Sequence, residues 1–565
     1  MENTKTTEAA TTASTLILQP VLSKFYHWEK NTPDNIYLRQ PYGSTWKEYS
    51  WQACGIQARK MASVLQTMGY NGGANIGIIS KNCAHWVLAD LAIMMSKNIS
   101  VPFYPNLIAQ QLEHVLEHSE TKLLFVGKVE NWDVMREGIL GNIKCIALPD
   151  SPAKELQTWD DVIADQAPLE GEPLPNLHDV GTIIYTSGTT GRPKGVVHKH
   201  YSLATSMEAV QKVVPLDKIG KKYFSFLPLC HVAERGIVET CSLYSGGSIS
   251  FVESIDTFAK NLQDVQPTLF FAVPRIWTKF QLGVLEKMPQ KKLDLLLKIP
   301  IISNIVKKKI RKALGLGEVE MVFTAAAPTP VSLHEWYKKL GLKLQELYGM
   351  TENAGACTLM QKEHHKPGTV GQIYPGVEVK IDEQSNEILM KSEWLMKEYY
   401  REPEITANII KDGYLHTGDM GEFDAEGNLK ITGRVKDMFK TAKGEYVVPG
   451  PMEWKFAADS FIEQVCVMGS GLPQPIALIV LSEIAKNASR EAIEHSFATV
   501  LTIINAETMS HERIKKIVIL KDDWSIENGI LTPTLKIKRN LIDERYLTKA
   551  EAWYEMEDTI IWMKD

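Results

Sequence analysis

The sequence predicts an α/β protein: a large N-terminal domain of doubly wound layers, a small β-rich unit near 376–433, and a small α+β C-terminal domain. Three observations predict it. Buried-strand patterns alternate with helix patterns over 75–126, short strands separated by turns crowd 376–433, and a separate mix of strands and helices follows Arg434.

In chain order, residues 1–15 (MENTKTTEAATTAST) are polar and Thr-rich and read as a loose tail. The apolar run 16–22 is too short for a signal peptide or a bilayer span. Residues 75–79 read as a short buried strand, 86–96 as the helix after it, 98–103 as a strand, 110–118 as a helix and 123–126 as a strand. The longest apolar stretch, 86–95, carries Asp90 and so reads as a buried helix rather than a membrane span. Residues 165–178 are rich in Pro and acids, a surface connection into the buried strand 182–185. Turns such as Asp424-Ala-Glu-Gly-Asn428 punctuate the β-rich unit, and strands at 465–468 and 476–481 belong to the last segment.

The bulk numbers bound the function. A chain of 565 residues is too long for one core and suggests roughly three or four domain-sized units. With 44% hydrophobic and 23% charged residues and a net charge of -6, it has ordinary globular composition and no general basic excess for nucleic acid. The seven cysteines are scattered, without a CxxC pair, which argues against a disulfide framework or zinc and fits a reducing, cytoplasmic setting. Nothing in the sequence fixes an oligomeric state.

The most informative stretch is Tyr185-Thr-Ser-Gly-Thr-Thr-Gly-Arg-Pro-Lys-Gly195. It sets three glycines, four Ser/Thr hydroxyls and one lysine after a strand. Glycines let successive N–H groups turn toward an anion, hydroxyls add donors, and Lys194 adds a point charge. A bland polar surface loop is the competing reading, but apolar runs on both sides seat the segment on a sheet. The spacing is not that of a P-loop NTPase.

YTSGTTGRPKG resembles the signature loop of the adenylate-forming (ANL) superfamily, and the rest of the chain agrees. Tyr348-Gly-Met-Thr-Glu352 resembles its aromatic-Gly-x-Thr-Glu segment. Tyr414-Leu-His-Thr-Gly-Asp419 and Gly433-Arg-Val-Lys-Asp437 resemble its ribose site and hinge, and Leu531-Thr-Pro-Thr-Leu-Lys-Ile-Lys-Arg539 its C-terminal lysine strand. The five motifs stand in family order over about 30 to 545.

The resemblance implies ATP, Mg²⁺ and coenzyme A as reactants and cofactor, and a two-step activation of a carboxylic acid. Thr186, Ser187, Gly188, Thr189, Thr190, Gly191 and Lys194 would hold phosphates. Thr351 would contact the α-phosphate, Glu352 and Thr186 would place Mg²⁺, and Tyr348 would stack on adenine. Asp419 and Arg434 would take the ribose. Lys536 is the expected movable catalytic lysine, with Lys538 its competitor on the same side of a strand.

The resemblance further implies domains 1–434 and 435–565, the second mobile about Lys436. Gly444 would line a pantetheine tunnel. His231, in Leu227-Pro-Leu-Cys-His-Val-Ala-Glu-Arg235, would sit between that tunnel and the acyl pocket, or serve as a structural histidine. No cluster of Cys and His suggests a metal site.

LPLCHVAER and LTPTLKIKR resemble the long-chain fatty acyl-CoA synthetase branch, which makes a fatty acid the expected substrate. Residues 287–312 add nine Lys or Arg and one acid, interleaved with Leu and Ile and split by Pro300 into two helices. They read either as a peripheral contact with an anionic membrane or as a helix pair covering the acyl tunnel with solvated charges. Thr324-Ala-Ala-Ala-Pro328 has alanines where many members carry glycines, and 391–398 lacks two familiar glycines. The alternatives are a fatty acyl-AMP ligase loading a carrier protein, a β-lactone synthetase, and a non-catalytic nucleotide- or acyl-binding relative.

Overall fold

The computed structural model describes residues 18–186, 193–216, 220–526, 528–532 and 536–563. Among the described residues two large sheets form the N-terminal body. The seven-stranded sheet runs Glu398–Tyr399, Lys194–Lys199, Val180–Thr186, Ile99–Phe103, Asn75–Ile79, Leu123–Val126, Lys144–Ala147. Its pairs are parallel from Val180–Thr186 outward to Lys144–Ala147 and antiparallel at the Lys194–Lys199 edge. The nine-stranded sheet centres on Lys222–Ser225, Leu269–Phe271, Met321–Thr324 and Leu344–Tyr348, also parallel.

The expected doubly wound pattern is therefore present, and the elements at 75–126 fall where periodicity put them. Helix Ala84–Met95 is buried all round, which explains its nearly unbroken apolar sequence. Its single acid, Asp90, needs a partner inside the protein. Arg235 supplies it through two bonds of 2.6 and 2.7 Å.

The β-rich unit pairs Glu378–Ile381, Glu387–Lys391, Tyr414–Phe423 and Leu429–Arg434, all antiparallel. A four-stranded sheet of Ile462–Met468, Ile476–Leu481, Lys516–Ile519 and Ile560–Trp562 organises the last segment, with helices Arg490–Glu507 and Arg539–Glu555. No helix among the described residues is long and apolar enough to cross a membrane.

Pro300 does split 287–312. Helix Gln290–Lys298 ends before it and helix Pro300–Ala313 begins on it, where its fixed φ suits a first helical turn. The pair packs through Leu293 and Ile310 onto an aromatic cluster around Trp277, Trp336 and Tyr337. None of 287–312 lines the large cavity.

Candidate active site

Strand register brings most of the singled-out residues together around a cavity of about 2220 Å³. Thr186 closes strand Val180–Thr186 and lies opposite Lys194 in the antiparallel pair. Ser187, Gly188, Thr189, Thr190 and Gly191 lie outside the described residues. Burial, and then the neighbouring charge of Lys436, hold the Lys194 ammonium below its usual pKa.

Across the cavity, strand Leu344–Tyr348 runs into a short turn, Thr351–Asn353. The turn needs Gly349, because a Cβ there would meet the Gly355 carbonyl at 2.3 Å. It presents Thr351 and Glu352, both buried. His198 Nε2 lies 2.7 Å from the Thr351 carbonyl, so that nitrogen carries the proton and donates. Burial lowers the His198 pKa to about 4, which keeps the ring neutral.

Tyr399 donates to Glu352 Oε1 at 2.5 Å and its ring lies 5.1 Å under the Lys194 ammonium. One Glu352 oxygen is thus fixed, while the other remains for a hard cation. A lone carboxylate beside a phosphate site suits Mg²⁺, which usually takes one or two protein carboxylates plus phosphates and water.

Asp419, Arg434 and Tyr348, expected at the ribose and base, form a cross-strand set. Asp419 and Arg434 are register partners; Arg434 Nε donates to Asp419 Oδ1 at 2.7 Å and Tyr348 Oη to Oδ2 at 2.8 Å. Lys436 follows in the turn Val435–Asp437 and also lines the cavity.

Lys536 reaches this cavity from the last segment. Its side chain is exposed, and its pKa is lowered first by desolvation and then by Arg434, with Asp419 and Glu352 opposing. Among the described residues no regular strand carries Lys536, which corrects the expected one. Leu531 and Ile537 make one isolated bridge, and Lys536 N donates to Thr532 Oγ1 at 3.0 Å. Lys538 instead stands at the start of helix Arg539–Glu555, with no strand to set the two lysines on one side.

His231 lines the cavity, its Nδ1 accepting from Ala233 N at 3.2 Å. Burial and nearby Lys536 lower its pKa to about 4, so it is neutral with the proton on Nε2. The rest of LPLCHVAER builds its seat. Glu234 accepts from Ser225 Oγ and Phe226 N, and burial pushes its pKa up to about 8. Arg235 bonds Thr182 Oγ1 as well as Asp90, and opens a π-helical stretch, Arg235–Thr240, along the cavity wall.

Gly444 is not brought to the cavity. It turns the hairpin between Phe439–Lys440 and Tyr446–Val447 at φ +82°, a conformation that suits glycine. Ala326, in the alanine-rich departure, has φ +72° and lines the cavity. A Cβ there is strained where glycine would not be.

A family model described as "AMP-binding enzyme" matches residues 25–400, and its companion "AMP-binding enzyme C-terminal domain" matches 436–558. The chain belongs to the AMP-binding enzyme family. It is 28% identical over 588 aligned residues to the long-chain-fatty-acid–CoA ligase FadD15 of Mycobacterium bovis, covering 95% of this chain and 97% of that one. It is also 28% identical to fatty acyl-CoA synthetase A of Dictyostelium discoideum, over 90% and 86% of the two chains. The A domain of a carboxylic acid reductase from Segniliparus rugosus, solved with AMP, superposes with TM-score 0.77 at 20% identity, covering 95% and 94%. That last likeness speaks to the fold.

Within this family frame, sequence reading had missed three side chains. Tyr399 comes to Glu352 only through the pairing of Glu398–Tyr399 with Lys194–Lys199. His198 and Asp90 sit in strand and helix patterns that read as core. The motif LPLCHVAER held the one usable signal, a buried arginine in need of an acid.

Proposed function

We propose that the protein activates a long-chain fatty acid with ATP and transfers the acyl group to coenzyme A. The observation that carries this reading is the convergence of Lys536, Glu352 and Asp419 on one cavity whose other arm is apolar, walled by Leu203, Met207, Val210, Val214 and Ile237. Cationic and polar groups suit a nucleotide, and an aliphatic arm beside them suits an acyl chain.

In the first step a carboxylate oxygen attacks the α-phosphorus, a P–O bond forms, and pyrophosphate leaves with its electron pair. Lys194, Lys536 and Thr351 offset the charge of two anions brought together and hold them in line. Glu352 and Thr186 would hold Mg²⁺, which would supply positive charge to phosphate oxygens. Tyr348 packs against the base, while Asp419 and Arg434 exchange their mutual contacts for the ribose hydroxyls.

In the second step the thiol sulfur attacks the acyl carbonyl, the thiol proton is lost, and AMP leaves. The 435–565 unit turns about Lys436, withdraws Lys536 and brings the Gly444 hairpin to the cavity. Neutral His231 stands beside the reacting carbonyl. The cysteines, free among the described residues, fit the reducing conditions of a cytoplasmic enzyme. A long acyl chain partitions into bilayers, so the working enzyme sits peripherally at a membrane.

Mass spectrometry of products from Mg-ATP and mixed fatty acids, with and without coenzyme A, tests this. Acyl-CoA and AMP that form only with coenzyme A, and most abundantly for long chains, are the expected result. Acyl-AMP without thioester would move the acceptor to a carrier protein. No adenylate at all would overturn the enzyme reading.

A further inference from the structure

We propose that the hairpin of helices Gln290–Lys298 and Pro300–Ala313 docks on an anionic phospholipid surface, with the corner at Pro300 inserted among the headgroups. This goes beyond the ligase reading and does not depend on the acid's chain length.

The corner is apolar and bare. Leu295, Ile301 and Ile305 are 62%, 78% and 60% exposed, with Ile299 and Ile302 beside them also exposed. Five large aliphatic side chains crowded at one helix junction form a patch of the kind that soluble surfaces seldom leave uncovered.

Charge is arranged around it. On the second helix Ile301, Ile305, Lys308 and Lys312 recur at three- and four-residue steps, so isoleucines and lysines share one face, isoleucines nearest the corner. Lys309 lies on the same exposed side, and Lys291, Lys292 and Lys298 are exposed on the first helix. The stretch's one acid, Asp294, pairs outward with Lys339 at 3.1 Å. Within 287–312 no second acid exists to neutralise the lysines.

The opposite face is fixed in the protein. Leu293, Ser303 and Ile310 are buried, and Trp336 Nε1 donates to Gln290 Oε1 at 3.1 Å. The exposed side is therefore a rigid ridge, apolar at its corner and cationic behind. This is the distribution of an interfacial element, which buries aliphatic side chains at the headgroup level and pairs its lysines with anionic lipid.

The whole-chain charge supports this occupant over a second copy of the chain. The stretch holds nine basic residues and one acid, or +8, in a chain of net -6, leaving -14 elsewhere. An anionic surface attracts the hairpin and repels the remainder, which orients the molecule. A two-fold contact would instead set the lysines of one copy against those of the other.

Flotation of the full-length protein with phosphatidylcholine vesicles, with and without phosphatidylserine, tests the proposal. Partitioning is expected to be at least about tenfold stronger on anionic vesicles and to fall as salt rises. K308E/K309E/K312E should remove that preference, and I301S/I305S should weaken binding about tenfold while both variants melt like the parent. K144E, an exposed reversal elsewhere, should bind like the parent. Equal recovery on neutral and anionic vesicles would overturn the proposal, as would an equal loss with K144E. So would a change in sedimented mass in I301S/I305S with lipid binding intact, since a second copy would then be the occupant.

Discussion

The two sides of the cavity are built differently. Thr186, Lys194, Tyr348, Thr351, Glu352, Asp419 and Arg434 sit at strand ends or in turns that leave strands, and backbone pairing sets their mutual positions. Lys536 stands outside any regular strand or helix among the described residues, brought in by a unit whose described ion pair to the N-terminal body is Arg275 with Glu463. A phosphate site gains from rigidity, because preorganised donors need no rearrangement as charge develops. A group needed for one half-reaction and in the way of the next gains from a loose mounting.

The largest effect is expected from breaking the rigid side. Arg235→Met would leave Asp90 buried and unpaired, at a cost of about 3–5 kcal/mol by urea unfolding. A loss under about 1 kcal/mol would mean that the cavity wall tolerates an unpaired acid there.

Next comes the loose side. Lys536→Ala should slow adenylate formation by about 10²–10³-fold, while thioester formation from supplied acyl-AMP changes little in single-turnover experiments. Equal losses in both steps would erase the contrast between the two mountings.

Tyr399→Phe sharpens it further. Removing a hydrogen bond to a charged carboxylate costs about 1.5–3 kcal/mol. That should appear as a raised Mg²⁺ requirement for adenylation with thioester transfer intact. An unchanged Mg²⁺ titration would separate Tyr399 from the cation.

The rigid side also sets an acid limit. His85, His198, His200 and His231 have folded pKa values depressed by burial to about 3, 4, 4 and 4. The unfolded chain therefore binds more protons between pH 6.5 and 4, and stability is lost as pH falls through that window. Tm should drop by a few degrees from pH 7 to 5, and His198→Gln should flatten the slope. A pH-independent Tm there would show that these rings take up protons in the folded state as readily as in the unfolded chain.

The smallest effect is expected at the domain contact. Arg275 and Glu463 are partly exposed, so Arg275→Ala should cost under about 1 kcal/mol. It should alter the ratio of the two half-reactions by a few-fold at most, with Tm unchanged.

How much was legible follows the same division. Strands such as Asn75–Ile79 and Leu123–Val126 are buried on both faces and declare themselves as apolar runs. Cavity residues within motifs were legible because glycines, hydroxyls and acids stand close together in the chain. Tyr399 was not, since its function comes from a two-residue edge strand, and no local pattern encodes which strand it joins. The segment at Lys536 reads as a strand because alternating Leu, Lys and Ile imitate one, yet no regular strand forms among its described residues. The hairpin at Pro300 was read correctly as two helices, but its distance from the cavity depends on packing against Trp277 and Trp336, which periodicity does not show.

Lys194, Arg434, Lys436 and Lys536 bring four cations to one cavity, whose lining also holds the acids Glu352, Asp419 and Asp437. Two of the cations come from residues before 435 and two from residues after it, so the proposed motion about Lys436 would change how these charges face one another. On the proposed reading a triphosphate would favour one arrangement of these charges, and closure and nucleotide affinity would then be one thermodynamic quantity seen from two directions. Whatever closure adds to nucleotide binding, the nucleotide returns to closure in equal measure. On the proposed reading, departure of pyrophosphate would remove counter-charge from these cations and so favour opening about Lys436.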